Sequence, residues 1–330
     1  MKRISSIDGW RFVAVFMVLL GHYLYRIDAQ GVLSIFVTMG RLGVEIFFVI
    51  SGYVITLGMI KEKEKNSTIS FKAFYLCRAF RILPPLFVYI FTLCLLGLAG
   101  LIDFNYIEAF FAIFFVTNLH DLVSVGWYLD HTWSLSYEEQ FYLLFPLIIA
   151  FNGIGVRGVL AFIVFAFVFY LFDYDMLGGV FRYFSFLLAG VALSLKEKEL
   201  GSFFDDFGGG LRAGLLTFCM ALVLALHLID GFFIEILEIA VQPFGIALML
   251  FLSVRFSSFL SPVLNNPLFV YLGSVSYGIY LWQQLALGPH ELGAIEYLFG
   301  LLAILLLSVL QYEFFEKALI KKGRDLSDRV

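Results

Sequence analysis

The chain of 330 residues is 61% hydrophobic and 15% charged, with 40 Phe and 17 Tyr, against about 45–50% apolar and about 25% charged in soluble domains. That balance excludes a soluble globular domain, and the net charge of −4 argues against a nucleic-acid partner. Cys77, Cys94 and Cys219 are scattered, which suggests neither a disulfide framework nor a metal site. The composition predicts an all-α fold, a polytopic bundle of transmembrane helices forming one domain over 1–330 in a lipid bilayer.

In chain order, apolar segments occupy 10–26, 41–60, 82–102, 106–119, 140–154, 157–172, 180–195, 211–229, 232–254, 268–288 and 294–316. The first reads as a retained helix, since it carries no small-residue cleavage site. Segment 106–119 rises only about 21 Å, short of about 30 Å of hydrocarbon, so it is expected to re-enter the membrane without crossing it. About ten spans then remain, with both termini cytoplasmic. Among the 22 lysines and arginines only Arg26, Arg41 and Arg182 fall outside, a strong positive-inside bias. No additional extracellular domain is expected.

The first span carries Arg11 and His22. Eleven helical steps of about 100° bring both to one face, about 16 Å apart along the axis. Ionisable side chains within a membrane segment are functional suspects. The second span opens with Arg41 and Glu45 at i and i+4, placed to neutralise one another. Ser51-Gly52 follows, a pair suited either to close helix packing or to access by a thin ligand. In the basic loop from Lys61 to Arg81, Arg78 and Arg81 stand three apart. That spacing sets two guanidinium forks side by side, for phosphates or for anionic headgroups.

The polar, aromatic stretch 120–139 ends in Trp133-Ser134-Leu135-Ser136-Tyr137-Glu138-Glu139, with Tyr142 shortly after. It is expected at the outer face, with Arg78 and Arg81 at the inner one. Its carboxylates suit a histidine partner or a helix N-terminus. Its rings suit sugar faces or the interfacial belt.

Together these segments resemble the acyltransferase-3 family of integral membrane acyltransferases, which contains bacterial O-antigen and exopolysaccharide O-acetylases. The matching residues are Ile7-Asp8-Gly9-Trp10-Arg11 with His22, the run Gly43 to Tyr53 around Glu45, Arg78 with Arg81, and Thr132-Trp133-Ser134-Leu135-Ser136 with Glu138-Glu139-Gln140-Phe141-Tyr142. A weaker match runs from Leu272-Gly273-Ser274 to Trp282. The set is in family order and covers nearly the whole chain. It implies transfer of an acyl group, usually acetyl from cytoplasmic acetyl-CoA, to a hydroxyl of a cell-surface glycan or lipid-linked oligosaccharide, at the bacterial inner membrane.

The resemblance implies His22, Arg11 and Glu138 as catalytic residues and Arg78 with Arg81 as the acyl-CoA pair. Glu45, Ser51, Trp133 and Tyr142 are implied in an acceptor or donor channel, and no metal or permanently bound cofactor is implied. Acyl transfer to an alcohol needs a base or a covalent carrier, and His22 can serve as either. An acid such as Glu138 or Glu45 would set its tautomer.

Two positions depart from the family pattern: Gln283 where members often have histidine after Tyr-Leu-Trp, and Ala318 where many have proline after Glu316-Lys317. The second is expected to touch only a helix end. The alternative reading is a transporter or flippase for a lipid-linked glycan, although the inverted repeats common in transporters are not found.

Overall fold

A computed structural model describes residues 4–26, 34–119, 123–152, 178–229, 232–288 and 294–328. No strand occurs among them; the elements are α1 (Ser5–Arg26), α2 (Ser34–Asn66), α3 (Phe71–Leu98), α4 (Tyr106–Ile113), α5 (Trp127–Asp130), α6 (Thr132–Asn152) and α7 (Gly178–Asp205). There follow α8 (Gly209–Leu228), α9 (Phe232–Ala240), α10 (Gln242–Arg255), α11 (Ser261–Leu264), α12 (Pro267–Leu287), α13 (Ala294–Gln311), a π-helical turn at Tyr312–Glu316 and α14 (Lys317–Ser327). Helices alone satisfy every backbone polar group without water, as hydrocarbon demands.

Five helices among the described residues are long and apolar enough to cross a membrane, and α9 with α10 forms a sixth if that pair, bent by 43°, is one span. The segment expected at 157–172 lies outside the described residues. As expected, 106–119 contains no span: α4 is 8 residues long, about 12 Å. The basic loop is shorter than the sequence implied. Helix α2 runs to Asn66 and α3 begins at Phe71, where the Ser70 hydroxyl caps it by accepting from the Ala73 N–H. Arg78 and Arg81 therefore lie inside α3. The helix also continues past Ala318 to Ser327, with the π turn just before it.

The chain divides into two compact units: Met1–Tyr25, Ala29–Lys65 and Phe141–Ser274 form the first, and Arg26–Asp28, Asn66–Gln140 and Val275–Val330 the second. In the first unit small residues let helix backbones touch. A Cβ on Gly52 of α2 would come 1.9 Å from the Leu187 carbonyl oxygen of α7, and one on Gly190 of α7 would come 2.1 Å from the Val49 carbonyl oxygen. This reciprocal contact gives Gly52 a place in helix packing, a use that small residues commonly have in membranes. In the second unit α14 lies along the first turns of α3, with Gly323 against Phe80.

Gly52→Val must push α2 from α7, at a cost of about 1–3 kcal/mol. It should lower the thermal transition of the detergent-solubilised protein, whereas Gly58→Val, whose new Cβ meets nothing within 4 Å, should leave it unchanged.

Candidate functional site

In the first unit the Asp8–Arg11 motif is fixed by packing on both sides. A Cβ on Gly9 would strike the Leu264 carbonyl oxygen at 2.1 Å, and one on Gly273 would strike the Asp8 carbonyl oxygen at 1.7 Å. Trp10 Nε1 donates to Ser253 Oγ at 2.9 Å. Arg11 Nη1 lies 3.4 Å from Oδ1 of the buried Asp8, one turn earlier. So the weak C-terminal motif, through Gly273, forms part of the seat of the first. His22 is half-buried. It follows Gly21, whose Cβ would come 2.9 Å from the Gly40 Cα, so it stands level with the Thr38–Gly40 turn of α2.

That turn opens onto a buried ionic cluster. Arg41 Nη2 pairs with Glu238 Oε1 at 2.7 Å, and Arg182 Nη2 takes the other Glu238 oxygen. Glu45 is fully buried and accepts from Gln242 Nε2 at 2.9 Å. Arg41 Nε is 3.7 Å from Glu45 Oε1, so the expected neutralisation of this pair is shared: the closer carboxylate to Arg41 is Glu238. His227 Nε2 is 2.6 Å from the Thr38 carbonyl oxygen. A carbonyl only accepts, so that nitrogen carries the proton. In the neutral ring Nδ1 is then an acceptor, directed at Arg41 Nη2 at 3.5 Å.

Two acids, two guanidiniums and an imidazole thus converge at the start of α2. Arg182, His227, Glu238 and Gln242 were not singled out from sequence. The available signal was an acid and a histidine inside the apolar segments 232–254 and 211–229. Ser51 and Tyr142, expected along a channel, are 8% and 2% exposed.

In the second unit α3 serves as a ruler. It is about 42 Å long, with Arg78 about 10 Å and Tyr89 about 27 Å from its first residue. The Tyr89 hydroxyl donates to the Tyr128 carbonyl at 2.7 Å, which fixes Tyr128 well below the far end of α3. Glu139 lies eleven residues beyond Tyr128 and, if the chain descends, about 16 Å lower, level with Arg78. The structure bears this out: Arg78 and Glu139 are close enough to interact, and Tyr277 lies within electrostatic reach of Glu138, Glu139, Glu316 and Arg81.

The expectation that Arg78 and Arg81 face one side of the membrane and Glu138 and Glu139 the other is therefore corrected. The chain from α5 into α6 brings the acids to the arginines. Glu139 Oε1 is buried without a hydrogen-bond partner, and Glu316, next to Arg81, accepts from Gln311 Nε2 at 2.8 Å. Trp133 is half-buried and stacks edge-on against Tyr137 at 5.9 Å. Glu139, Tyr277 and Glu316 had no assigned role from sequence.

The acyltransferase domain of the acyltransferase-3 family matches residues 4–313. The chain belongs to the acyltransferase-3 family. A Staphylococcus aureus (strain COL) protein with the provisional name O-acetyltransferase is 29% identical over 98% of this chain and 58% of its own length. The peptidoglycan O-acetyltransferase OatA of Listeria monocytogenes is 34% identical over 44% of this chain and 24% of its own. The O-acetyltransferase OatA of Staphylococcus aureus (strain NCTC 8325) is 36% identical over 46% and 25%. The chain thus spans 58% of the length of the relative that it matches from end to end. No solved structure matches it. The acyltransferase-3 match crosses both compact units and contains Arg11, His22, Arg78, Arg81, Glu138 and the whole ionic cluster.

Glu238→Ala leaves Arg41 and Arg182 without their shared carboxylate, and stability should fall by about 1–3 kcal/mol, because Arg41 remains 39% exposed to solvent. The double variant Arg182→Met, Glu238→Leu should be less destabilised than the two singles added together. Chemical denaturation of the four proteins measures that coupling; additive losses would mean that the pair is not energetically joined.

Proposed function

We propose that this protein transfers an acetyl group from cytoplasmic acetyl-CoA to a hydroxyl of a cell-surface glycan or its lipid-linked precursor, in a bacterial cytoplasmic membrane with both termini inside. The acyltransferase-3 match over residues 4–313 carries this reading. The glycan acceptor is taken from the relative named for peptidoglycan. Nothing among the matches favours glycan transport.

His22 then acts on the acceptor. As a base it takes the hydroxyl proton, the oxygen attacks the thioester carbonyl, and the C–S bond breaks. The imidazolium returns its proton to the coenzyme A thiolate. As a carrier, the His22 nitrogen attacks the thioester carbonyl and the C–S bond breaks to release coenzyme A thiolate. The acceptor oxygen then attacks the acetyl-imidazolium, the N–C bond breaks to return neutral imidazole, and the hydroxyl proton goes to the thiolate. Arg11, about 16 Å away along α1 and braced by Asp8, belongs to the donor end of that path. Arg78 and Arg81 contact the donor's phosphates. Each guanidinium has five N–H donors, more than one carboxylate neighbour consumes. Glu138, beside Glu139 and Tyr277, acts with that pair in this proposal; Glu45 acts from within the ionic cluster.

His22→Ala should abolish acylation of surface glycans, read by mass spectrometry, while expression and the thermal transition stay normal. His22→Gln should also fail, since an amide is neither base nor carrier. Near-normal acylation by either well-folded variant would remove His22 from the chemistry. Replacing both Arg78 and Arg81 with lysine keeps the charge and loses the fork. Acetyl-CoA affinity measured by calorimetry should weaken by about 1–3 kcal/mol; an unchanged value would assign the pair to Glu139 and Glu316 alone.

A further inference from the structure

At the start of α1, within the first unit, two adjoining cavities of about 210 and 380 Å³ share Glu197 and Arg255. The smaller reaches inward between Ile7, Tyr53, Leu250 and Phe251, all of them buried. The larger opens outward past Ser194 to Lys61 and Lys198. One wall of the inner part is thus apolar, and the mouth is charged. Glu197 and Arg255 stand at the junction, with Tyr53 on the wall of the smaller cavity and Ser194 on that of the larger.

Ser194 is 5% exposed, and its hydroxyl is buried without a hydrogen-bond partner. A helical serine ordinarily bonds a carbonyl one turn back, and a buried hydroxyl left unmet is costly. Ser194 lines the larger cavity, where a turn about χ1 presents the hydroxyl to an occupant. The Tyr53 hydroxyl bonds the Glu197 carboxylate, which leaves further acceptor capacity on Glu197 for an N–H group.

We propose that this cleft receives the acyl-bearing pantetheine arm of the acyl-CoA donor. The assignment rests on the acyltransferase reading above. The chemistry that fits is a thin, uncharged chain with amides along it. An amide carbonyl accepts from Ser194, an amide N–H donates to Glu197, and the methylenes lie along Leu250 and Phe251. A free sugar would leave its hydroxyls against that apolar wall. A diacyl lipid has no amide to meet Ser194 and Glu197. The inner end of the cleft borders Ile7, one residue before the Asp8–Arg11 motif, and His22 stands farther along the same helix.

The test places a cysteine at Ser194 in full-length protein lacking the three native cysteines and follows its labelling by maleimide. The probes are S-ethyl coenzyme A and S-ethylpantetheine, thioethers that cannot acylate the thiol, and 3′,5′-ADP, which lacks the arm. S-Ethyl coenzyme A and S-ethylpantetheine should each slow labelling at least tenfold at saturation, and 3′,5′-ADP should not. In parallel, Ser194→Leu should raise KM for acetyl-CoA at least tenfold with the thermal transition retained.

If S-ethyl coenzyme A binds by calorimetry yet leaves labelling unchanged, the cleft is not the donor channel, and the acyltransferase reading stands. If it does not bind at all, the donor itself is wrong. Protection by phosphatidylglycerol vesicles in place of S-ethyl coenzyme A would give the cleft to a lipid and overturn the proposal.

Discussion

Removing a guanidinium from water costs several kcal/mol unless a carboxylate meets it in good geometry, and the first unit largely buries Arg182 and half-buries Arg41. Glu238 meets both, and its position depends on a bend. Pro243, near the start of α10, has no N–H to continue the helix from α9, so the chain turns by 43° at Val241. Backbone bonding survives the turn, since the Val241 N–H still reaches the Leu237 carbonyl and the Gly245 N–H the Val241 carbonyl. Glu238 and Gln242 flank the break, and both point at α2: one takes Arg41, the other Glu45. A straight helix would hold these two residues one turn apart on a single line. The bend lets them close separately on two residues of α2, while Arg182 closes from α7.

The second unit solves a different problem. Irregular backbone at membrane depth survives only if protein groups satisfy its carbonyls and N–H groups. The descent from α4 to α6 is fastened in this way by side chains. Tyr89 donates to the Tyr128 carbonyl, Tyr280 to the His131 carbonyl, Thr132 to the Leu129 carbonyl and Gln140 to the Phe115 carbonyl. Trp127 Nε1 donates to the Gln284 carbonyl at 2.8 Å. Phe115 adopts φ 55°, a conformation unusual for a bulky residue, and its carbonyl is among those met. Trp127 and Thr132 of the 120–139 stretch thus act as backbone donors, and the other three donors lie outside it. Part of the aromatic and hydroxyl content of that stretch, which in sequence suits sugar stacking, has this structural use as well.

That double use explains which parts were legible. The helical class, the failure of 106–119 to cross and the shared face of Arg11 and His22 follow from composition and period, which are local. Arg41 with Glu45 was visible because i and i+4 neighbours meet on any helix. Glu238, Arg182 and His227 reach the same point from three other helices, and no spacing announces that convergence. The depth of Glu138 and Glu139 was misjudged for a related reason. The positive-inside rule counts charges at segment ends and carries no information about which helices pack together, whereas these acids lie beside α3. Arginines and acids that the rule sends to opposite faces meet because the acids descend. Gly273 was similarly opaque: only the packed structure shows that it seats Asp8.

The histidines narrow the chemistry further. Gln283 stands where family members often carry a histidine, and it is fully buried; an amide moves no proton there. Among the described histidines, His227 commits Nε2 to the Thr38 carbonyl and faces Arg41 with Nδ1. His131 is 2% exposed, with Tyr89 and Tyr280 packed edge-on and tilted against its ring at 5.7 and 5.3 Å. His22 alone among the described histidines is half-exposed. It also shares a helix face with Arg11. A base or carrier must be reachable by its substrate, and the role proposed above for His22 is compatible with that half-exposure.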